Sequence, residues 1–357
     1  METKELKAEL LCLGARVSGM NKGRKAGAGP AAGGMFLFGN TIANVPTQSW
    51  FVSSSPYSVS QETKNGDEGY VIKRNGERIA DVRFPHAKFQ ELKTNDGIPY
   101  NKIALLHGAN CLATTTIQTC VYWNTPKRCK FCAIELSLKS GATIARKKPE
   151  QLAEVALSAK KLDRVTHVTL TTGTTATPDK GINYLAEIGS AIKEATGLPI
   201  HAQFEPPNKL SMIDVLSDSV DTVGIHVESF DREVLKEVAL CKAEIPFQLY
   251  VDAWKRSVDI FGDSQVSSYV IAGLGEGDES IIDGSKLLTE LGVYPFIVPL
   301  RPIPGSLLEN ERPPNPDRMK YIYEEVAGIL HDNGVSWRKN KAGCVRCRAC
   351  SALPDFE

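Results

Sequence analysis

The chain has no apolar run near the roughly 18 residues of a membrane-crossing helix, and its first residues, METKELKAELLCLG, are too charged for a secretory signal, so the expected setting is the cytoplasm. An excess of either charge sign is also missing. Lys plus Arg and Asp plus Glu are 42 each in 357 residues, which leaves no global basic field to hold nucleic acid or an anionic membrane. Disorder is excluded by the composition, 42% hydrophobic and 24% charged. A G-x-x-x-x-G-K-[ST] phosphate loop is absent as well, so the Gly-rich stretch at 23–34 reads as a flexible loop.

Cysteine is what the chain has in plenty. Nine of them, an odd number in a reducing compartment, argue for metal ligation over a disulfide framework. Six fall into two tight groups, Cys120, Cys129, Cys132 and Cys344, Cys347, Cys350; Cys12, Cys111 and Cys241 stand alone and read as small buried hydrophobes.

The first hundred residues carry Gly- and Ser-rich stretches and two hairpin signals, turning at Gly39-Asn40 and at Asn75-Gly76. From about residue 115, strand-like runs alternate with helix-like ones. The strands are expected at 115–123, 167–173, 198–204, 221–227, 265–275 and 293–300, with amphipathic segments between them and a sixth helix in DRMKYIYEEVAGILHDNG. The fold class is therefore α/β. The expected divisions are an N-terminal α+β region (1–110), a partial (β/α)6 barrel of triosephosphate-isomerase type (111–335), and a Cys-rich tail (336–357).

The motif CVYWNTPKRCKFC, C-x8-C-x2-C, directly follows the first expected strand. Three thiolates on one loop leave a tetrahedral site one ligand short: either zinc with a fourth ligand from elsewhere, or a [4Fe–4S] cluster with one open iron. In its position and in the aromatic Phe131 before the third cysteine, the loop resembles the radical S-adenosylmethionine (SAM) superfamily, although the commonest first gap there is three residues. The resemblance implies a [4Fe–4S] cluster on Cys120, Cys129 and Cys132 whose open iron is chelated by SAM. It implies SAM contacts from Phe131, from Thr172 and Gly173 in LTTGT, from His226 and Glu228 in GIHVESFDREVL, and from Ser268 and the Gly273-Leu274-Gly275 turn in SYVIAGLGE. The last two segments are similar to those of biotin and lipoyl synthases. Gln203 and Glu205, polar at the end of an apolar strand, read either as reaching SAM or substrate or as helix-capping or ion-pair groups, and Arg301 in VPLRPIPGS is placed to clamp a substrate carboxylate. Singly, His226 reads equally as a core histidine, Glu228 as a helix-start carboxylate and Arg301 as a rim ion pair.

The tail motif GCVRCRACSAL spaces Cys344, Cys347 and Cys350 three apart. Beside a radical SAM core this suggests an auxiliary Fe–S cluster, with zinc as the alternative; Cys12, Cys111, Cys241, Ser351 or the substrate would complete it, and Arg346 and Arg348 would offset its charge. The tail and the N-terminal region are expected to lid the barrel mouth. Over the whole chain, AGAGPA, NDGIPYNKIALLH, TTGTTATPDKG, QFEPP, VPLRPIPGS and the tail resemble a bacterial radical SAM subfamily encoded in nitrilase operons. The expected function is reductive SAM cleavage and hydrogen abstraction from a small, nitrogen-containing metabolite, with flavodoxin or ferredoxin as reductant. Sulfur insertion of the lipoyl synthase kind, or a non-enzymatic Fe–S or zinc protein, are the alternatives.

Overall fold

The structure, a computed structural model, describes residues 1–18, 33–64 and 67–357; most of the Gly-rich 23–34 stretch lies outside them. Helix α1 (Thr3–Leu13) leads into strand β1 (Arg16–Val17). The hairpins follow where their turn residues put them: β2 (Gly33–Phe38) pairs with β3 (Thr41–Pro46) across Gly39-Asn40, and β5 (Asp67–Arg74) pairs with β6 (Glu77–Val82) across Asn75-Gly76. Strand β4 (Tyr57–Lys64) joins β1 to β5, giving the order β1-β4-β5-β6. Both turn residues, Asn75 and Gly76, have positive φ, which asparagine tolerates and glycine adopts freely.

The main sheet has seven strands in chain order: β7 (Leu105–His107), β8 (Cys111–Thr115), β9 (His167–Thr171), β10 (Ile200–Gln203), β11 (Thr222–Gly224), β12 (Val266–Ala272) and β13 (Val293–Pro299). From β8 onward all pairings are parallel; β7 runs antiparallel to β8 at one edge. Parallel neighbours need covered crossovers. These are supplied by α2 (Leu136–Lys139) and α3 (Pro149–Asp163), α4 (Ile182–Thr196), a 3₁₀ turn at Leu210–Leu216, the trio α5 (Arg232–Val238), α6 (Leu240–Ala243) and α7 (Phe247–Phe261), and α8 (Asp278–Glu290); α9 (Pro316–Asp332) follows β13. The sheet curls into an open α/β half-barrel with β7 and β13 as its edges.

Local chemistry explains the helix starts. Pro149 and Pro316 occupy first-turn positions where no amide donor is needed, and Asp231 accepts from the amides of Glu233 and Val234 at the head of α5. The strand interiors are buried Val, Leu, Ile and Ala, and α4 presents Ile182, Leu185, Ile188 and Ile192 to them.

Two expectations are corrected. The first barrel strand is Cys111–Thr115, not 115–123. Strand β9 ends at Thr171, so residues beyond Thr115 have little ladder left to pair with, and after the bonds from Thr116 N to Thr171 O and from Gly173 N to Ile117 O the chain turns into a loop. The tail does not lid the strand ends that carry the first cysteine loop. Asn340 Nδ2 donates to Ser264 O, Gln265 Nε2 to Lys339 O, and Thr222 Oγ1 to Ala342 O, all at strand beginnings. From there α10 (Gly343–Cys347) enters the barrel beside β9, β10 and β13, and α11 (Leu353–Phe356) packs on α9. The N-terminal helix pins this tail: fully buried Lys7 reaches Asp355 Oδ2 at 2.5 Å and Arg348 O at 2.9 Å.

Candidate active site

The first cysteine loop is fastened to the end of β9. Val121 N donates to Thr174 O, Gln118 Nε2 to Ile134 O, and Cys120 N to Glu135 Oε1. Gly173 is required by this approach: a Cβ there would stand 2.0 Å from Thr119 O. Beyond Cys120, the Arg128 guanidinium lies 3.4 Å from the Trp123 ring centre and donates to Cys132 O, so the loop is internally braced. Cys132 lies close enough to Cys120, and Cys129 to Cys132, for the neighbouring thiol to oppose ionisation. Burial raises all three: it is the leading cause for Cys120 and for Cys132, pushed up to about 11, and the second for Cys129, after the adjacent Cys241 thiol.

Cys241, read as an isolated apolar residue, stands with its sulfur 3.4 Å from Cys129 Sγ. Helix α6 carries it there, tied to the loop by Cys241 N to Lys127 O and by the Lys127–Glu244 ion pair at 2.5 Å. The next residue, Lys242, turns inward. Its ammonium lies 3.2 Å from Glu228 Oε1 and donates to His226 O at 2.7 Å; burial lowers its pKa, but Glu228 together with Tyr250, Cys129 and Glu205 outweighs burial and holds it well above the ordinary value.

Glu228 sits at φ 68°, a costly angle for a non-glycine residue, and is held by Glu228 N to Tyr269 O and Ile271 N to Glu228 O. His226 Nδ1 accepts from Tyr269 N, and the two rings stack at 4.3 Å. Glu205 accepts from Tyr122 on the cysteine loop and from Thr174, both at 3.1 Å. Phe131 and Leu274 share one apolar cluster with Val234, Leu235 and Val238, which brings the aromatic before the third cysteine next to the 273–275 turn. That turn has φ 104° at Gly273 and 119° at Gly275, and Glu276 folds back to accept from the amides of Gly273 and Leu274.

Four of the expected site residues have other settings. Thr172 Oγ1 donates to Gly173 O. Ser268 is fully buried and accepts from Val227 N, bracing strand to strand. Gln203 Nε2 donates to Cys344 Sγ at 3.3 Å, so it faces the tail. Arg301 donates to Asn44 O in β3 and is close enough to Cys350 in the tail to favour that thiolate.

The tail thiols converge inside the barrel. Cys344 meets Gln203 and the Tyr269 hydroxyl, and burial pushes it up to about 12. Cys347 lies against Cys111 and His107, with His107 Nδ1 3.0 Å away. Cys350 lies 3.5 Å from His107 Nε2; burial raises it, but His107 and Arg301 outweigh burial and bring it down to about 7. Of the proposed partners, Ser351 Oγ is spent on Ile297 O, Cys12 lies by Glu9 and Tyr323, and Cys241 serves the other group. Among the described residues no three His, Cys, Asp or Glu side chains converge as ligands of one mononuclear ion would. Thiols set around a multi-iron cluster, one per iron, do not need to.

A contact path joins the two groups: Cys129 and Cys241, then Lys242, His226, Tyr269 and Cys344. Sequence reasoning missed Lys242 and His107. The first gives no signal in the sequence; the second stands four residues before Cys111 at a turn, a spacing that could have marked it. Among the described residues no helix is long and apolar enough to cross a membrane.

The model of the radical SAM superfamily matches residues 125–288, beginning just after Cys120 and taking in Cys129 and Cys132. A bacteriochlorophyllide c C-7(1)-hydroxylase from Chlorobaculum limnaeum is 27% identical over 92% of this chain and 85% of its own. Among solved structures, methylornithine synthase (16% identical, TM-score 0.47) covers 69% of this chain and 72% of its own. A radical SAM methyltransferase from Sphaerobacter thermophilus (14%, TM-score 0.49) covers 78% and 75%. With its parallel half-barrel and its three-cysteine loop at the end of the first parallel strand, this chain is an enzyme that carries a radical SAM domain over residues 125–288.

Proposed function

We propose that Cys120, Cys129 and Cys132 hold the SAM-binding [4Fe–4S] cluster, that Cys344, Cys347 and Cys350 hold an auxiliary one, and that the enzyme abstracts hydrogen from a small, nitrogen-containing metabolite. The first cluster, when bound, supplies the electron that cleaves SAM to methionine and a 5′-deoxyadenosyl radical. The fit rests on the donors themselves: three unpaired thiols on a braced loop, with the Gly173 approach and the Phe131–Leu274 cluster beside them. Phe131 and Leu274 offer an apolar wall for adenine, and Lys242 holds Glu228 as a fixed carboxylate toward the cationic end of SAM.

The observation that carries the reading is the contact path from Cys129 to Cys344. It puts the tail thiols within the same barrel interior as the first loop, where a substrate-derived radical can meet them. The hydroxylation named for the Chlorobaculum relative forms a C–O bond rather than a C–S bond, which supports hydrogen abstraction without sulfur insertion. A soluble one-electron carrier, flavodoxin or ferredoxin, and the nitrilase-operon subfamily remain parts of this proposal.

Anaerobic reconstitution with iron and sulfide, reduction, and addition of SAM should yield 5′-deoxyadenosine. Replacing Cys120, Cys129 and Cys132 together with Ala should abolish it, and replacing the three tail cysteines should remove about four irons per chain. Mass spectrometry of mixtures with candidate metabolites then identifies the substrate. Deoxyadenosine from the first triple variant would overturn the assignment.

A further inference from the structure

We propose that His107 is the fourth ligand of the auxiliary cluster, making it a site of three thiolates and one imidazole; this rests on the reading that the tail holds a cluster. The imidazole faces two of the three tail sulfurs, with Nδ1 3.0 Å from Cys347 Sγ and Nε2 3.5 Å from Cys350 Sγ. It is buried, and it ends strand β7, at the short turn into β8 that the tail presses upon. A Cβ on the following residue, Gly108, would lie 2.5 Å from Cys347 Sγ, so the turn is shaped to admit that sulfur.

The competing ligands are placed differently. Cys111 meets Cys347, and its sulfur is also 3.3 Å from Thr169 Oγ1 and 3.8 Å from Leu112 O. Ser351, Cys12 and Cys241 are committed elsewhere. A neutral imidazole in place of a thiolate removes one negative charge from the cluster and raises its reduction potential. The surroundings act in the same direction: Asn44 Nδ2 points at Cys350 Sγ from 3.7 Å, Gln203 Nε2 at Cys344 Sγ from 3.3 Å, and Arg301 lies near Cys350. The ligand set thus suits a cluster that accepts an electron.

The full-length Cys120, Cys129, Cys132 to Ala variant isolates the tail cluster. Reconstituted anaerobically without SAM and reduced, it should bind about four irons and show a directly coordinated nitrogen by pulsed electron paramagnetic resonance. The coupling should change on ¹⁵N-histidine labelling, vanish with His107→Ala, and persist with Cys111→Ser. His107→Cys should keep the iron, lose the coupling and lower the reduction potential, which separates ligation from a folding defect. A cluster without nitrogen coupling, or coupling that survives in His107→Ala, overturns the histidine ligand while leaving the tail cluster standing. Failure of the variant to bind iron at all overturns both.

Discussion

The sulfurs of Cys129 and Cys241 lie 3.4 Å apart, although 112 residues separate them and both are free thiols. One belongs to the three-cysteine loop after β8 and the other to α6 between β11 and β12, so that loop has beside it a fourth thiol that the C-x8-C-x2-C motif does not contain. In cluster-free protein this pair is set to oxidise. On exposure to air the two thiols should give up two electrons and two protons to dioxygen, leaving a Cys129–Cys241 disulfide and hydrogen peroxide. Alkylation and peptide mass mapping of aerated apoprotein should show that bridge. Cys241→Ser should leave Cys129 open to alkylation and make iron loading independent of added dithiol. Full alkylation of Cys129 in aerated wild-type protein would refute the expectation.

Gly173→Ala should unseat the cysteine loop. The added methyl carbon would meet Thr119 O at 2.0 Å and Thr119 C at 2.7 Å, both backbone atoms, so the loop must move rather than a flexible side chain. Overpacking of this kind costs about 1–3 kcal/mol. Iron bound at the first site and deoxyadenosine formation should both fall several-fold. Gly328→Ala, in α9 with no atom within 4 Å of the new carbon, should retain both and be stabilised by about 0.5–1 kcal/mol.

The α/β alternation was legible because parallel strands buried on both faces read as continuous apolar runs and the helices between them keep their own period. The two hairpins were legible because Gly39-Asn40 and Asn75-Gly76 are turn pairs with a steric reason. What the sequence could not give was tertiary approach. The alternation of Thr115–Gln118 looks like a strand, but its partner β9 stops at Thr171, and only the partner decides. Ser268 and Gln203 sit at the right places along the barrel strands, yet their side chains serve Val227 and Cys344. The meeting of His107 with Cys347, 240 residues apart, depends on how the tail threads the barrel.

Lys242→Met should destabilise the protein through its partner. Glu228 keeps only 10% of its side chain exposed and Lys242 14%, so removing the ammonium strands a nearly buried carboxylate at a strained backbone position. The expected loss is about 3 kcal/mol, at the low end of the range for broken buried pairs because some exposure remains. Adding Glu228→Gln to Lys242→Met should recover part of it, since the stranded charge is gone. Urea unfolding of the two variants checks the order; equal stability of single and double variants would count against the ion pair as the cause.

Acid should unfold the apoprotein through its interior histidines. Burial holds His167 down to about 4, His201 to about 3 and His226 well below the ordinary value, with Arg346 near His167 and Lys242 near His226 acting the same way. Their Nε2 atoms are buried without hydrogen-bond partners, so no acceptor rewards protonation of His201 or His226, and at His167 the Gly343 backbone offsets only part of the burial effect. Unfolded, each titrates near 6.5. Between about pH 4 and 6.5 the unfolded chain therefore binds protons that the folded chain refuses, and stability must fall as pH falls through that window. Three such groups allow a slope of up to about 4 kcal/mol per pH unit. His107 does not offset this, because the tail thiols hold it protonated in the folded state and below 6.5 it is protonated in both states. Urea midpoints of the cluster-free protein should drop steeply from pH 7 to pH 5. His201→Gln should reduce that slope by about a third, since one of the three refusals is removed while the carboxylates are left unchanged.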